Sequence, residues 1–128
     1  MKYPMDRDDP QIYETCNFNP SHPGIDIGTG YRTGLNIYAV EDGEVVVAKT
    51  QRHGYGRHIK ILHKDGISLY AHLSALMVEA GQIVKKGEVI GLSGGHPKDE
   101  YAGNSTGCHL HFEWLALVPQ DPAPLWNE

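Results

Sequence analysis

Long apolar runs are missing from this sequence. None of its 128 residues belongs to a run approaching the ~18–20 residues that a bilayer-spanning helix needs. No membrane span is therefore expected. A basic excess is missing too. The net charge is −5, with no Lys/Arg stripe to neutralise phosphates, so nucleic acid is not expected as a partner. Cysteine is scarce: Cys16 and Cys108 are the only two, too few for a disulfide framework. The opening stretch MKYPMDRDDPQIYE is polar and acidic and has no apolar signal-peptide segment. That favours two reduced, partly buried thiols over a bridge, and a chain made in the cytosol. Helical apolar periodicity is scarce as well; only LSALMVEAGQ could hold a helical turn.

Glycine and proline are plentiful, at 15 and 8 residues. They punctuate short β-branched runs: IYAVEDGEVVVAK, RHIKILHKDGISLYAHL and QIVKKGEVIGLSG. Such runs broken by Asp-Gly, Gly-Tyr-Gly and Lys-Gly read as strands and hairpins. Asp42-Gly43 and Asp65-Gly66 are the strongest expected hairpin turns. With 40% hydrophobic and 21% charged residues, a folded chain with one core is expected. The fold class is all-β, an antiparallel sheet sandwich or hybrid barrel, in a single domain over 1–128. The first 20 or so residues carry little periodicity and are expected to form an irregular N-terminal arm over the sheet.

Three short stretches hold the chemistry. In CHLHFE, strand alternation puts Cys108, Leu110 and Phe112 on one side and His109, His111 and Glu113 on the other. The two histidines would then stand about 6.6–7 Å apart along the strand. One ring could bind a metal while the other reaches a nearby water; chance placement on a polar strand face is the plainer explanation of this pair alone. In SHPGIDIG, Pro23 and Gly24 argue against helix, and an extended chain puts His22 and Asp26 on one side. Imidazole and carboxylate together make half of a zinc site, although an Asp near Gly is commonly a turn residue. In SLYAHLS, alternation places Leu69, Ala71 and Leu73 toward the core, with Tyr70 and His72 on the open side. Taken together, His22, Asp26, His72, His109 and His111 suit a site with three ligands, two unligated histidines and one open position, which is catalytic rather than structural zinc.

HPGID, LYAHLS and NSTGCHLHFE resemble the HxxxD, AHLS and STGPHLHFE motifs of the lysostaphin-type zinc endopeptidases, which cut peptide bonds in bacterial peptidoglycan. The likeness runs from about His22 to Phe112, and DPAPLW is similar to that family's closing segment. The resemblance implies an antiparallel β fold with the active site in a groove. It also implies one zinc ion per chain, held by His22, Asp26 and His111, with His72 and His109 as the acid–base and transition-state pair. Tyr13 lies upstream at a distance where some relatives use a tyrosine to stabilise an oxyanion; a packing role is the alternative.

This chain departs from the pattern in two places. Cys108 stands where the family has Pro, and alternation points its sulfur away from the metal. The loop GGHPKDEYAGNSTG is longer than typical and is expected to shape one wall of the groove. His53, His58, His63 and His96 are expected to be solvated or structural. Glu113 is read either as an orienter of His111 or as an exposed strand carboxylate. The expected partner is bacterial peptidoglycan. The lack of an export signal suggests a phage lysin, or a protein carried in a phage virion or tail assembly; a secreted or periplasmic bacterial enzyme trimmed of its leader competes. A non-catalytic binding or structural protein of the same fold, such as a hydrolase activator or tail component, is the second functional reading. A biotinyl- or lipoyl-type carrier is the third, and would leave the five polar site residues unexplained.

Overall fold

The computed structural model describes residues 1–16, 24–105 and 107–116. Nine strands are formed among them: β1 Tyr13–Cys16, β2 Ile25–Gly28, β3 Asn36–Tyr38, β4 Gly43–Lys49, β5 Arg57–Leu62, β6 Ile67–Leu76, β7 Ile83–Val84, β8 Val89–Ser93 and β9 His109–Leu115. The main sheet runs β1-β2-β9-β6-β5-β4-β7. Every pairing is antiparallel, and β3 joins through β8, which pairs with β6. The all-β antiparallel expectation holds.

Alternating apolar positions build the core. Ile25 and Ile27 of β2, Leu110 and Phe112 of β9, and Ile59 and Ile61 of β5 are buried in one cluster with Ile37 and Ile90 of the β3–β8 layer. The N-terminal segment contributes more than its weak periodicity suggests. Tyr3, Met5 and Ile12 are buried in the same cluster, and Tyr13–Cys16 pairs with β2 as an edge strand.

Strand β6 departs from simple alternation, and this places the site. Tyr70, expected on the open side, is fully buried and packs edge-on against Phe112 at 5.3 Å between ring centroids. Its hydroxyl accepts from the Val40 N–H at 3.1 Å. Leu69 and Ala71 pair instead with Glu113 and His111 on the site side. Normal alternation would then send His72 into the core. It does not, because His72 has a left-handed backbone, φ 63°, which resets the facing of the residues that follow. The kink falls where β6 changes partner: β9 pairs through Ala71, and β8 takes over from Leu73.

The two Asp-Gly turns diverge. Asp65-Gly66 closes the β5–β6 hairpin. Asp42-Gly43 does not close one, because β3 pairs with β8 and β4 with β5 and β7. Neither glycine has positive φ. Close approach accounts for both: a Cβ at Gly43 would collide with the Leu62 carbonyl, and one at Gly66 would press the Trp114 ring at 2.8 Å.

Candidate active site

Register brings the first two side chains together. In the β2–β9 ladder Asp26 lies directly opposite His111, and Gly28 opposite His109. Side chains opposite one another in an antiparallel pair share a face. Asp26 Oδ1 accordingly lies 2.8 Å from His111 Nδ1 and 3.8 Å from His109 Nε2. On the other flank, β6 brings the His72 ring to 5.1 Å from His109 and 6.1 Å from His111, centroid to centroid.

The loops set the histidine tautomers. A carbonyl oxygen only accepts, so a ring nitrogen bonded to one must carry the proton. His72 Nδ1 donates to the Ala102 carbonyl at 2.6 Å, and His109 Nδ1 donates to the Gly107 carbonyl at 2.8 Å. In the neutral rings both Nε2 atoms therefore keep their lone pairs. Burial holds the His72 pKa below the ordinary histidine value, against the opposing pull of the Ala102 carbonyl.

His111 lies in the opposite environment. Nδ1 faces Asp26, and Nε2 lies 2.8 Å from Glu113 Oε2. Burial disfavours charge on this ring, but the two carboxylates outweigh it and raise the pKa to about 9. Burial likewise works against the charge on Glu113, yet its bonds from His111 and Tyr55 hold its pKa below the ordinary carboxylate value. The Tyr55 hydroxyl donates to Glu113 Oε2 at 2.8 Å, and its ring stacks over His111 at 6.1 Å. Burial and the Glu113 charge push the Tyr55 pKa up to about 12, keeping that donor protonated. A ring nitrogen and a carboxylate converge here in a field that favours positive charge, which fits a divalent cation.

Of the expected residues, Asp26, His72, His109 and His111 are gathered in one place. His22 lies outside the described residues, as does DPAPLW. Among the described residues no group of three or more His, Cys, Asp or Glu side chains is placed to hold a metal ion. Tyr13, on β1 opposite Gly28, lines a cavity of about 400 Å³ together with Asp26 and His109. Cys108 is a free, half-buried thiol lining that cavity too. It precedes β9, so strand alternation does not govern it. A second cavity of about 410 Å³ lies on the other side of His111, lined by Tyr55, His72 and Asn104. The site thus sits between two open hollows.

Glu113 is buried, with 4% exposure, and orients His111, the first of the two roles considered for it. Tyr55 was missed. It lies 58 residues from Glu113, inside a Gly-Tyr-Gly break with no local sign of a site role. His53 and His96 are exposed, whereas His58 and His63 are buried and bonded to backbone carbonyls.

Comparison with known proteins identifies a family. The profile of Peptidase family M23 matches residues 20–122. The chain is 33% identical over 127 residues to peptidoglycan DD-endopeptidase ShyB of Vibrio cholerae, covering 89% of this chain and 27% of that protein. It is 34% identical over 110 residues to lysostaphin of Staphylococcus simulans, covering 80% and 21%. Among solved structures, a zinc-containing peptidase from Vibrio cholerae superposes with a TM-score of 0.78 at 32% identity, covering 93% of this chain and 37% of that one. The chain spans about a quarter of the length of the curated relatives it matches.

Proposed function

Because the chain belongs to Peptidase family M23, we propose that it is a zinc-dependent endopeptidase hydrolysing peptide bonds in peptidoglycan stem peptides or cross-bridges. The observation that carries this reading is the shared tautomer of His72 and His109. Both rings are pinned through Nδ1 to loop carbonyls, leaving two basic Nε2 atoms beside the Asp26–His111 pair. Its substrate side is supported by similarity to peptidoglycan endopeptidases.

Zinc would be held by His22, Asp26 and His111, and would supply Lewis-acid polarisation of the scissile carbonyl and a more acidic water. Asp26 and His111 offer a carboxylate oxygen and an imidazole nitrogen, both ordinary zinc donors. Glu113, braced by Tyr55, fixes the plane of the His111 ring through Nε2. His72 and His109 share the proton work at Nε2. One accepts the proton of the attacking water as the carbon–oxygen bond forms, and the protonated ring returns it to the leaving amine as the carbon–nitrogen bond breaks. The remaining ring steadies charge on the carbonyl oxygen. Tyr13 lines the cavity beside His109 and would meet a substrate entering from that side.

The test is digestion of purified peptidoglycan of defined structure, with released peptides identified by mass spectrometry. Chelation should stop release and added Zn²⁺ should restore it. Release that survives full removal of metal would rule out the metal mechanism.

A further inference from the structure

The loop over His72 is fastened from outside the site. Arg57, the first residue of β5, pairs opposite Leu73, immediately after His72. Its Nη1 lies 2.6 Å from Asp99 Oδ2, with both side chains less than a quarter exposed. The same guanidinium lies over the Tyr101 ring at 5.0 Å, and the Arg57 N–H donates to the Tyr101 carbonyl at 2.9 Å. Asp99 also shapes the turn it anchors. Its Oδ1 accepts from the Tyr101 N–H at 3.0 Å, and its backbone carbonyl accepts from the Ala102 N–H at 3.1 Å. Ala102, whose carbonyl meets His72 Nδ1, is buried.

The turn is also pressed against the 54–56 backbone. The Asn104 N–H donates to the Gly54 carbonyl at 2.9 Å, and the His72 N–H donates to the Tyr55 carbonyl at 2.8 Å. Gly56 and Gly103 both have positive φ, and a Cβ on either would strike the backbone of the other segment. One assembly of two loops therefore holds both the main chain and the ring of His72.

We propose that Asp99 and Arg57 are positioning residues for His72, holding the Ala102 carbonyl on its Nδ1 so that Nε2 is kept as the proton-accepting nitrogen. This rests on the acid–base reading of His72 given above. Neither residue lines the cavities on either side of the site; both act through the loop. Without the ion pair the Ala102 carbonyl loses its fixed position, and the ring is free to take the other tautomer or to rotate. A misplacement of this kind costs on the order of 10- to 100-fold in turnover when the group concerned moves protons.

The experiment compares wild type, Asp99→Asn and Asp99→Glu as zinc-loaded proteins, reading the His72 tautomer by ¹⁵N NMR and kcat and KM on a defined peptidoglycan fragment. Wild type should show only the Nδ1–H form. Asp99→Asn should show a mixture, with kcat down roughly 10-fold and KM and bound zinc unchanged; Asp99→Glu should recover most of the loss. An unchanged tautomer with unchanged kcat, or a loss confined to KM, overturns the proposal. Should Asp99→Asn not fold, Arg57→Gln makes the same comparison, because it removes the ion pair from the other side, with the same tautomer mixture and loss of kcat expected. His72→Ala separates the two readings. Turnover that survives it removes the acid–base role, while the tautomer comparison still decides the positioning role.

Discussion

Two histidine environments lie toward opposite ends of β6 and β9, and they favour opposite charge states. At one end His111 sits between Asp26 and Glu113 and is raised to about 9. At the other, His63 lies against Trp114 at 5.6 Å, donating through Nδ1 to the Asp42 carbonyl and accepting at Nε2 from the Ser68 hydroxyl at 2.7 Å. Burial lowers its pKa, although the Asp42 carbonyl and the Glu41 and Asp42 charges pull the other way. The same type of side chain, on β9 in one case and in the β5–β6 turn in the other, thus favours a cation in one place and neutrality in the other. Partners decide this: ionised carboxylates in direct contact outweigh desolvation, whereas a carbonyl, a hydroxyl and more distant charges do not.

The largest break in this contrast is to remove charge from the cationic end. Asp26→Ala should abolish zinc binding and, with it, turnover, as read by metal content after dialysis and by peptide release. Retained stoichiometric zinc would exclude Asp26 as a ligand. His109→Ala should keep zinc but lower kcat by about 10²–10⁴-fold, the range for a positioned acid–base group. Loss of zinc in that variant would instead make His109 a ligand.

Smaller effects belong to the neutral end. Tyr70→Phe removes the hydroxyl that joins Ser68 to the Val40 N–H. It should cost about 1–3 kcal/mol in chemical denaturation, the penalty for buried polar groups left unpaired. A loss near zero would mean that water replaces the hydroxyl. His63 should give the mildest signature. Its folded pKa lies below the unfolded value of 6.5, so between the two the unfolded chain binds more protons. The stability it contributes is fully present above 6.5 and is lost as pH falls through the folded value. Melting curves between pH 7.5 and 5 should therefore show a decline in wild type that is reduced in His63→Gln. Parallel declines would assign the effect to other groups.

Much of the cationic end was legible beforehand because it depends on alternation along one strand. His109, His111 and Glu113 share a face of β9, opposite Leu110 and Phe112, as the CHLHFE pattern implies. The β6 face was not legible. Alternation through SLYAHLS put Tyr70 beside His72, whereas a left-handed residue at His72 separates them, and nothing local in Ala-His-Leu announces it. Tyr55 escaped notice for a related reason: its role exists only once the 50–56 loop brings its hydroxyl to Glu113.

Strand content and the antiparallel class followed from the order of residues, because β-branched runs and Gly breaks act over a few positions. Which side chains meet was decided in three dimensions. The 2.8 Å approach of Asp26 to His111 bridges 85 residues of chain, and the turn of His72 toward them depends on β6 exchanging β9 for β8. Ladder register and a change of strand partner are properties of the assembled sheet, and no short stretch of sequence contains them.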